Sequence, residues 1–161
     1  MYNAVVVLHV VAAIIWIGGV LFMGLVAVPA ARGLEPRLRR LVTTRLGMAF
    51  RPVGWVCLVV LLTTGTYMAI NWGATWQNVF DLSFFDAPHT RMLGYKLLAV
   101  LAMLGVSFWH DWVIGPRAVE AEPGTEEAER YRRLAGWLGR VTGVLVLVIA
   151  VLAVFVARPW A

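Results

Sequence analysis

The chain has 161 residues, 61% hydrophobic and only 14% charged, with a net charge of +5 and a mean hydropathy of +0.78. A water-soluble domain of this size cannot cover so much apolar surface, so composition excludes soluble-enzyme architectures and points to the bilayer. The positive balance does not indicate a nucleic-acid partner, because the basic residues are gathered between apolar blocks rather than along one face.

Four blocks carry the apolar residues. Met1 to Ala31 and Pro52 to Phe80 hold no formally charged side chain, Met92 to His110 holds only Lys96, and Val141 to Ala157 holds none. Each is near or above the ~20 residues that a spanning helix needs. The expected fold is all-α: an integral membrane four-helix bundle, one domain over residues 1–161, with helices at about 4–30, 52–70, 91–114 and 134–157.

In chain order, the first block lacks a basic start and is too long for a signal-peptide core, so it reads as a retained helix. Pro29 and Gly33 read as its stop signals. Leu38, Leu41, Val42, Leu46, Ala49 and Phe50, interleaved with arginines, suggest a short amphipathic helix at the membrane surface. Pro52 is a good first-turn residue for helix two. Trp72, Trp76, Phe80, Phe84 and Phe85 mark a loop at headgroup level, with a small interfacial helix before the Asp86-Ala-Pro-His89 turn. Gly115-Pro116 reads as the end of helix three. Glu120 to Glu129 reads as a solvated loop or helix start. In helix four, Gly136, Gly139 and Gly143 predict close helix contact, and the apolar half beyond them predicts lipid-facing packing. The lone Cys57 excludes an intrachain disulfide.

Six arginines (Arg32, Arg37, Arg39, Arg40, Arg45, Arg51) separate blocks one and two, and five more (Arg117, Arg130, Arg132, Arg133, Arg140) separate blocks three and four or open block four. The 72–90 loop is followed only by Arg91. The positive-inside rule then places the Arg-rich loops in the cytoplasm and both termini outside, in the inner membrane of a prokaryote. The arginines also suit anionic lipid phosphates, making membrane lipids the expected partners.

Ionisable groups inside apolar helices mark function. His9 lies about six residues into helix one and Lys96 about five into helix three, at similar depth if both helices start outside. His89, Met92, Met68, Thr64 and Tyr67 fall near the same level. His9 continues a face through Ala12, Ala13, Trp16, Gly19 and Met23. Helix three offers a matching face of Met92, Lys96, Ala99, Met103, Ser107 and His110. These faces form the expected bundle interior. Small residues beside a histidine leave room for a flat ligand such as haem. Neutral imidazole ligates haem iron or copper, and thioether sulfur suits Cu(I) or a second haem position. The plainer readings are a His9 bonded across helices, a Lys96 that snorkels to lipid phosphate, and a His110–Asp111 interfacial pair.

The stretch Leu8-His9-Val-Val-Ala-Ala-Ile-Ile-Trp16-Ile-Gly18-Gly19 resembles the first-helix signature of the copper-resistance D membrane family. Thr64-Gly65 resembles its Thr-Gly step, and Gly94-Tyr-Lys96-Leu-Leu, with His110 farther on, resembles its third-helix region. The plan of a histidine in helix one and a lysine in helix three also looks like the J-type protoporphyrinogen oxidases. The first resemblance implies copper uptake, with His9 as a metal ligand. The second implies haem or porphyrin binding through His9 and Lys96.

Three expectations follow. The leading one is a b-type haem protein passing electrons to or from a quinone or an outer small molecule, which as an enzyme would be a membrane oxidoreductase. Its haem b would take His9 as axial ligand and His89 or Met92 opposite, with Trp16 lining the site and Lys96, Arg91 or Arg158 pairing with propionates. The alternative is a copper permease using His9, Met68, His89 and Met92. The third is a non-catalytic membrane subunit whose polar residues hold helices together.

Overall fold

The computed structural model describes residues 1–122 and 124–157, with the side chain of His89 outside the described set. Among these residues the fold is all-helical, and four helices are long and apolar enough to cross a membrane. Helix α1 runs over Tyr2–Ala31 and α2 over Pro36–Asn71. The short α3 covers Trp76–Phe80. Helix α4 starts as Pro88–Trp109 and continues through His110–Ile114 into Gly115–Glu120, and α5 spans Glu126–Ala157.

Helix α1 ends at Ala31, shortly after Pro29 as expected, but Pro52 and Pro116 do not act as the sequence suggested. Pro52 lies inside α2, so the expected surface helix and helix two are one 36-residue element. Gly115-Pro116 does not end helix three either. A proline lacks the N–H that would bond the carbonyl four residues back and its ring crowds that turn, so a helix that continues through one must absorb the defect locally. In α1 and α4 a π turn absorbs the defect: Met23–Ala27 precedes Pro29, and His110–Ile114 precedes Pro116. The N–H of Val28 reaches Met23 O, and that of Gly115 reaches His110 O. Each bond spans five residues, and the wider turn relieves the clash between the proline ring and the preceding turn. Gly115 is suited to its place, because a Cβ there would lie 3.0 Å from His110 O.

Helix α5 begins eight residues before the expected 134. Glu126, Glu127 and Glu129 occupy its first turn, where acidic groups oppose the positive helix end, and Thr125 Oγ1 accepts the Ala128 N–H at 3.2 Å. The loop helix α3 is capped by Thr75 and Asn78 bonding each other's backbone N–H. Beyond it, Leu82 adopts a left-handed conformation at φ 67°. The Ser83 hydroxyl, and then its backbone N–H, bond Asp81 and hold that carboxyl below the usual range.

Helix α1 packs on α2, α4 packs on α5, and α1 also touches α5. Trp16, Cys57, Leu58, Ala99, Met103, Val146 and Ile149 form the core, with Met103 1% and Val146 0% exposed. Lipid tails are as apolar as these side chains, so this core gains its energy from close packing rather than from escape from water. Exposed Ile14, Leu25, Val56, Leu98 and Val151 belong to the lipid face. The glycine expectation for helix four is overturned. A Cβ at Gly136, Gly139 or Gly143 would meet nothing within 4 Å, because α5 turns Leu138, Val146 and Ile149 inward instead.

Side chains fasten α2 to α4 at the Arg-rich end. Arg40 donates to Val119 O at 2.6 Å and Ala118 O at 3.3 Å, satisfying carbonyls at the end of α4. Arg51 lies over the Trp112 ring at 4.2 Å. Trp55 Nε1 donates to Asp111 Oδ2 at 3.0 Å.

Candidate functional site

Thr64 lies in the apolar run of α2 and is 7% exposed. Its hydroxyl donates one turn back to Val60 O at 2.5 Å, the usual way a threonine satisfies its proton inside a membrane helix. A hydroxyl has one proton and spare lone pairs. The Thr64 oxygen is therefore an acceptor toward α1, where His9 Nδ1 lies 2.7 Å away. That bond puts the imidazole proton on Nδ1 and leaves Nε2 with a free lone pair. Gly65 lies beside the ring, where a Cβ would stand in ordinary contact 3.4 Å from His9 Cε1. Thr64 thus orients the histidine, with Gly65 packed beside its ring.

Lys96 on α4 and His9 on α1 each lie a similar number of residues into their helices. Both side chains are half-buried. Gly94, two residues earlier, accommodates the loop: a Cβ there would lie 3.1 Å from the Phe85 ring. The aromatic loop is thereby seated on α4 at Gly94. Above His9, the Trp72 Nε1–H donates to Tyr2 Oη at 3.0 Å, and the Tyr2 and Tyr67 rings lie 6.5 Å apart. These contacts tie the start of α1 to the end of α2 and fix the histidine's approach.

The other expected site residues are less convergent. Met68 sits one turn beyond Thr64 and Met92 one turn before Lys96, both half-buried. Trp16 is a core residue packed toward Gly54, where a Cβ would lie 3.7 Å from its indole. Arg91 is exposed and donates to Asp86 O at 2.8 Å, which makes it a fastening for the loop. The side chain of His89 and all of Arg158 lie outside the described residues. No group of three or more His, Cys, Asp or Glu side chains converges as a metal cage among the described residues. The His110–Asp111 pair does form, at 2.9 Å. The sequence reading missed Trp55 as its third member, for which an indole one span away gave no signal.

The family model for copper resistance protein D matches residues 44–155, which is more than half of the chain. The chain belongs to the copper resistance protein D family. The matched segment contains Thr64-Gly65, Gly94, Lys96 and His110, whereas His9 and Trp16 precede it. An uncharacterised protein of Aquifex aeolicus (strain VF5) is 30% identical over 151 residues, covering 91% of this chain and 89% of that protein. No solved structure matches. Neither match carries a haem or porphyrin description, so the likeness to the J-type oxidases gains no support from them. The protein is a multi-pass membrane member of a copper-resistance family.

Proposed function

We propose that this copper-resistance D protein is a copper permease whose membrane site is built on His9. The observation that carries the reading is the chain of bonds from His9 Nδ1 through Thr64 Oγ1 to Val60 O. A ligating histidine characteristically donates its other ring N–H to an oxygen, which fixes the tautomer and raises the basicity of the ligating nitrogen. Here that leaves Nε2 as the donor atom. Met68 and Met92, with His89, are the companions proposed for it, and thioether sulfur suits Cu(I), the softer and more mobile copper ion.

Lys96 has a role in this reading that a storage site would not need. In its charged form it opposes an arriving cation and keeps binding weak. A conducting site must hold its ion well enough to admit it and loosely enough to release it. We place the 72–90 loop and both termini outside, following the eleven arginines in or beside the two opposite loops. Copper would then reach His9 from the outer side. The haem reading draws no support from either match, and the His9–Thr64 geometry does not favour it over copper.

The test is Cu(I) titration of the purified protein against a chromogenic chelator, paired with cellular copper accumulation. His9→Ala is expected to abolish the site near the loop end and reduce accumulation, while the protein still inserts. A well-folded His9→Ala protein that binds and accumulates copper like wild type overturns the proposal. A Soret band in the wild-type protein would return haem to first place.

A further inference from the structure

The connector between α2 and α4 carries an apolar tip that the bundle does not use. In α3, Trp76 and Phe80 stand one turn apart with their rings stacked at 6.1 Å, and they are 81% and 78% exposed. Two residues on, Leu82 is 66% exposed. Leu82 is also the one non-glycine residue with a positive φ among the described residues. Its Cβ makes this left-handed conformation unfavourable, and glycine would adopt it freely. Asp81 holds the turn in place: its Oδ1 accepts the Ser83 N–H at 2.9 Å and the Ser83 hydroxyl at 2.6 Å. Packing inside the protein does not compensate the leucine, because its side chain points outward. A disfavoured backbone that displays an apolar side chain implies a use for that side chain outside the protein.

The position of the tip says what covers it. The connector leaves the end of one spanning helix at Asn71 and enters the next at Pro88. It is continuous with the lipid face of those helices, where Ile70, Tyr95 and Leu98 are exposed. The polar groups of α3 are turned onto its own backbone. Asn78 Oδ1 accepts the Thr75 N–H at 2.7 Å, Asn78 Nδ2 donates to Gly73 O at 2.8 Å, and Thr75 Oγ1 accepts the Asn78 N–H at 3.3 Å. These bonds lower the cost of taking a helix end out of water. Tryptophan suits the boundary between headgroups and acyl chains. The exposed Asp81 carboxylate, between Phe80 and Leu82, keeps the segment at that boundary and out of the hydrocarbon. No lysine or arginine occurs from Trp72 to Thr90, so the tip has no charge with which to select an anionic headgroup.

We propose that Trp76, Phe80 and Leu82 form a lipid anchor, inserted into the headgroup–acyl boundary of the leaflet at the His9 end, and that the left-handed turn exists to point Leu82 into it. The anchor ties the middle of the connector to the membrane. Its far end is fastened to α4 by the Phe85 ring beside Gly94 and by Arg91 on Asp86 O. The anchor is independent of whether His9 binds copper.

Tryptophan quenching of the full-length protein in phosphatidylcholine nanodiscs, with acyl chains brominated near the headgroup, tests the anchor. The difference between wild type and Trp76→Phe isolates the Trp76 signal. That signal is expected to be quenched by the brominated lipid, to resist acrylamide in the water, and to stay the same when phosphatidylglycerol replaces part of the phosphatidylcholine. Leu82→Gly is the companion variant. In detergent it should melt no lower than wild type, since glycine takes the positive φ freely. In the nanodisc its Trp76 should lose quenching by the brominated lipid and become open to acrylamide. A wild-type Trp76 that acrylamide quenches and brominated lipid does not overturns the anchor and leaves the tip to a soluble partner. A Leu82→Gly protein that melts below wild type in detergent also overturns it, because Leu82 would then serve the protein's own packing.

Discussion

Thr64→Val is the most direct test of how the His9 site is prepared. The substitution keeps the branched shape and removes one oxygen, which takes the acceptor from His9 Nδ1 and the donor from Val60 O. Without metal the cost is modest: a net hydrogen bond contributes roughly 0.5–1.5 kcal/mol, and part of that returns if His9 finds another partner. The larger effect is on the bound state. The ring of His9 becomes free to turn and to place its proton on either nitrogen, so only a fraction of molecules presents Nε2 to the ion. Loss of such an orienting partner typically costs 10–100-fold in metal affinity, or about 1.4–2.7 kcal/mol. Thr64→Ser retains the hydroxyl and is expected to bind almost as wild type. The assay is Cu(I) competition titration with thermal melting of the copper-free proteins. A Thr64→Val protein whose affinity stays within about twofold of wild type, well below that expected loss, would refute the orienting role and with it the argument that Nε2 is the donor atom.

Two further outcomes follow from named contacts. Lys96→Met should tighten Cu(I) binding, by roughly tenfold, because a like charge beside the ion is removed, and Lys96→Arg should not. A haem site would respond in the opposite sense, since a lysine paired with propionates is lost, so weaker ligand retention in Lys96→Met would count against copper. Gly19→Ala and Gly18→Ala separate packing from propensity: a Cβ at Gly19 would collide with the Phe50 ring, whereas one at Gly18 meets nothing within 4 Å. Melting should show Gly19→Ala losing about 1–3 kcal/mol and Gly18→Ala unchanged or slightly stabilised, and equal effects would mean that α1 and α2 do not pack as described.

The spans were legible because long charge-free runs have few alternatives to a membrane helix. Their limits were less so, and prolines explain most of the discrepancy. Pro52 reads as a helix start and Gly115-Pro116 as a helix end, yet both lie within longer helices. The early start of α5 was hidden for the converse reason: Glu126 to Arg133 is polar on most faces and gives no apolar signal, yet its acidic first turn favours a helix. The glycines of α5 misled because small residues permit close approach without compelling it, and the helix rotation that buries Leu138, Val146 and Ile149 leaves them open.

Residue counting alone brought His9 and Lys96 to one level, since rise per residue is fixed and both helices cross the same slab. Rotation about the helix axis is not fixed in this way. The Thr64 hydroxyl pointing at His9, and the Trp55 indole pointing at Asp111, depend on how α2 turns against its neighbours, and that is settled by packing across helices distant in sequence. The result is the same at both ends of the bundle. An oxygen holds the Nδ1 side of a histidine, a side chain of α2 takes part in the fastening, and the Nε2 lone pair is left over. In between, Trp16, Met103 and Val146 close the interior. If His9 is a copper station, that packed layer is the barrier on its inner side, and passage requires α1 or α4 to shift against α2. These are the two helices that carry a π turn ahead of a proline, where a helix can change register without breaking. The polar bonds from Arg40, Arg51 and Trp55 to α4 would then set how firmly the closed arrangement is held.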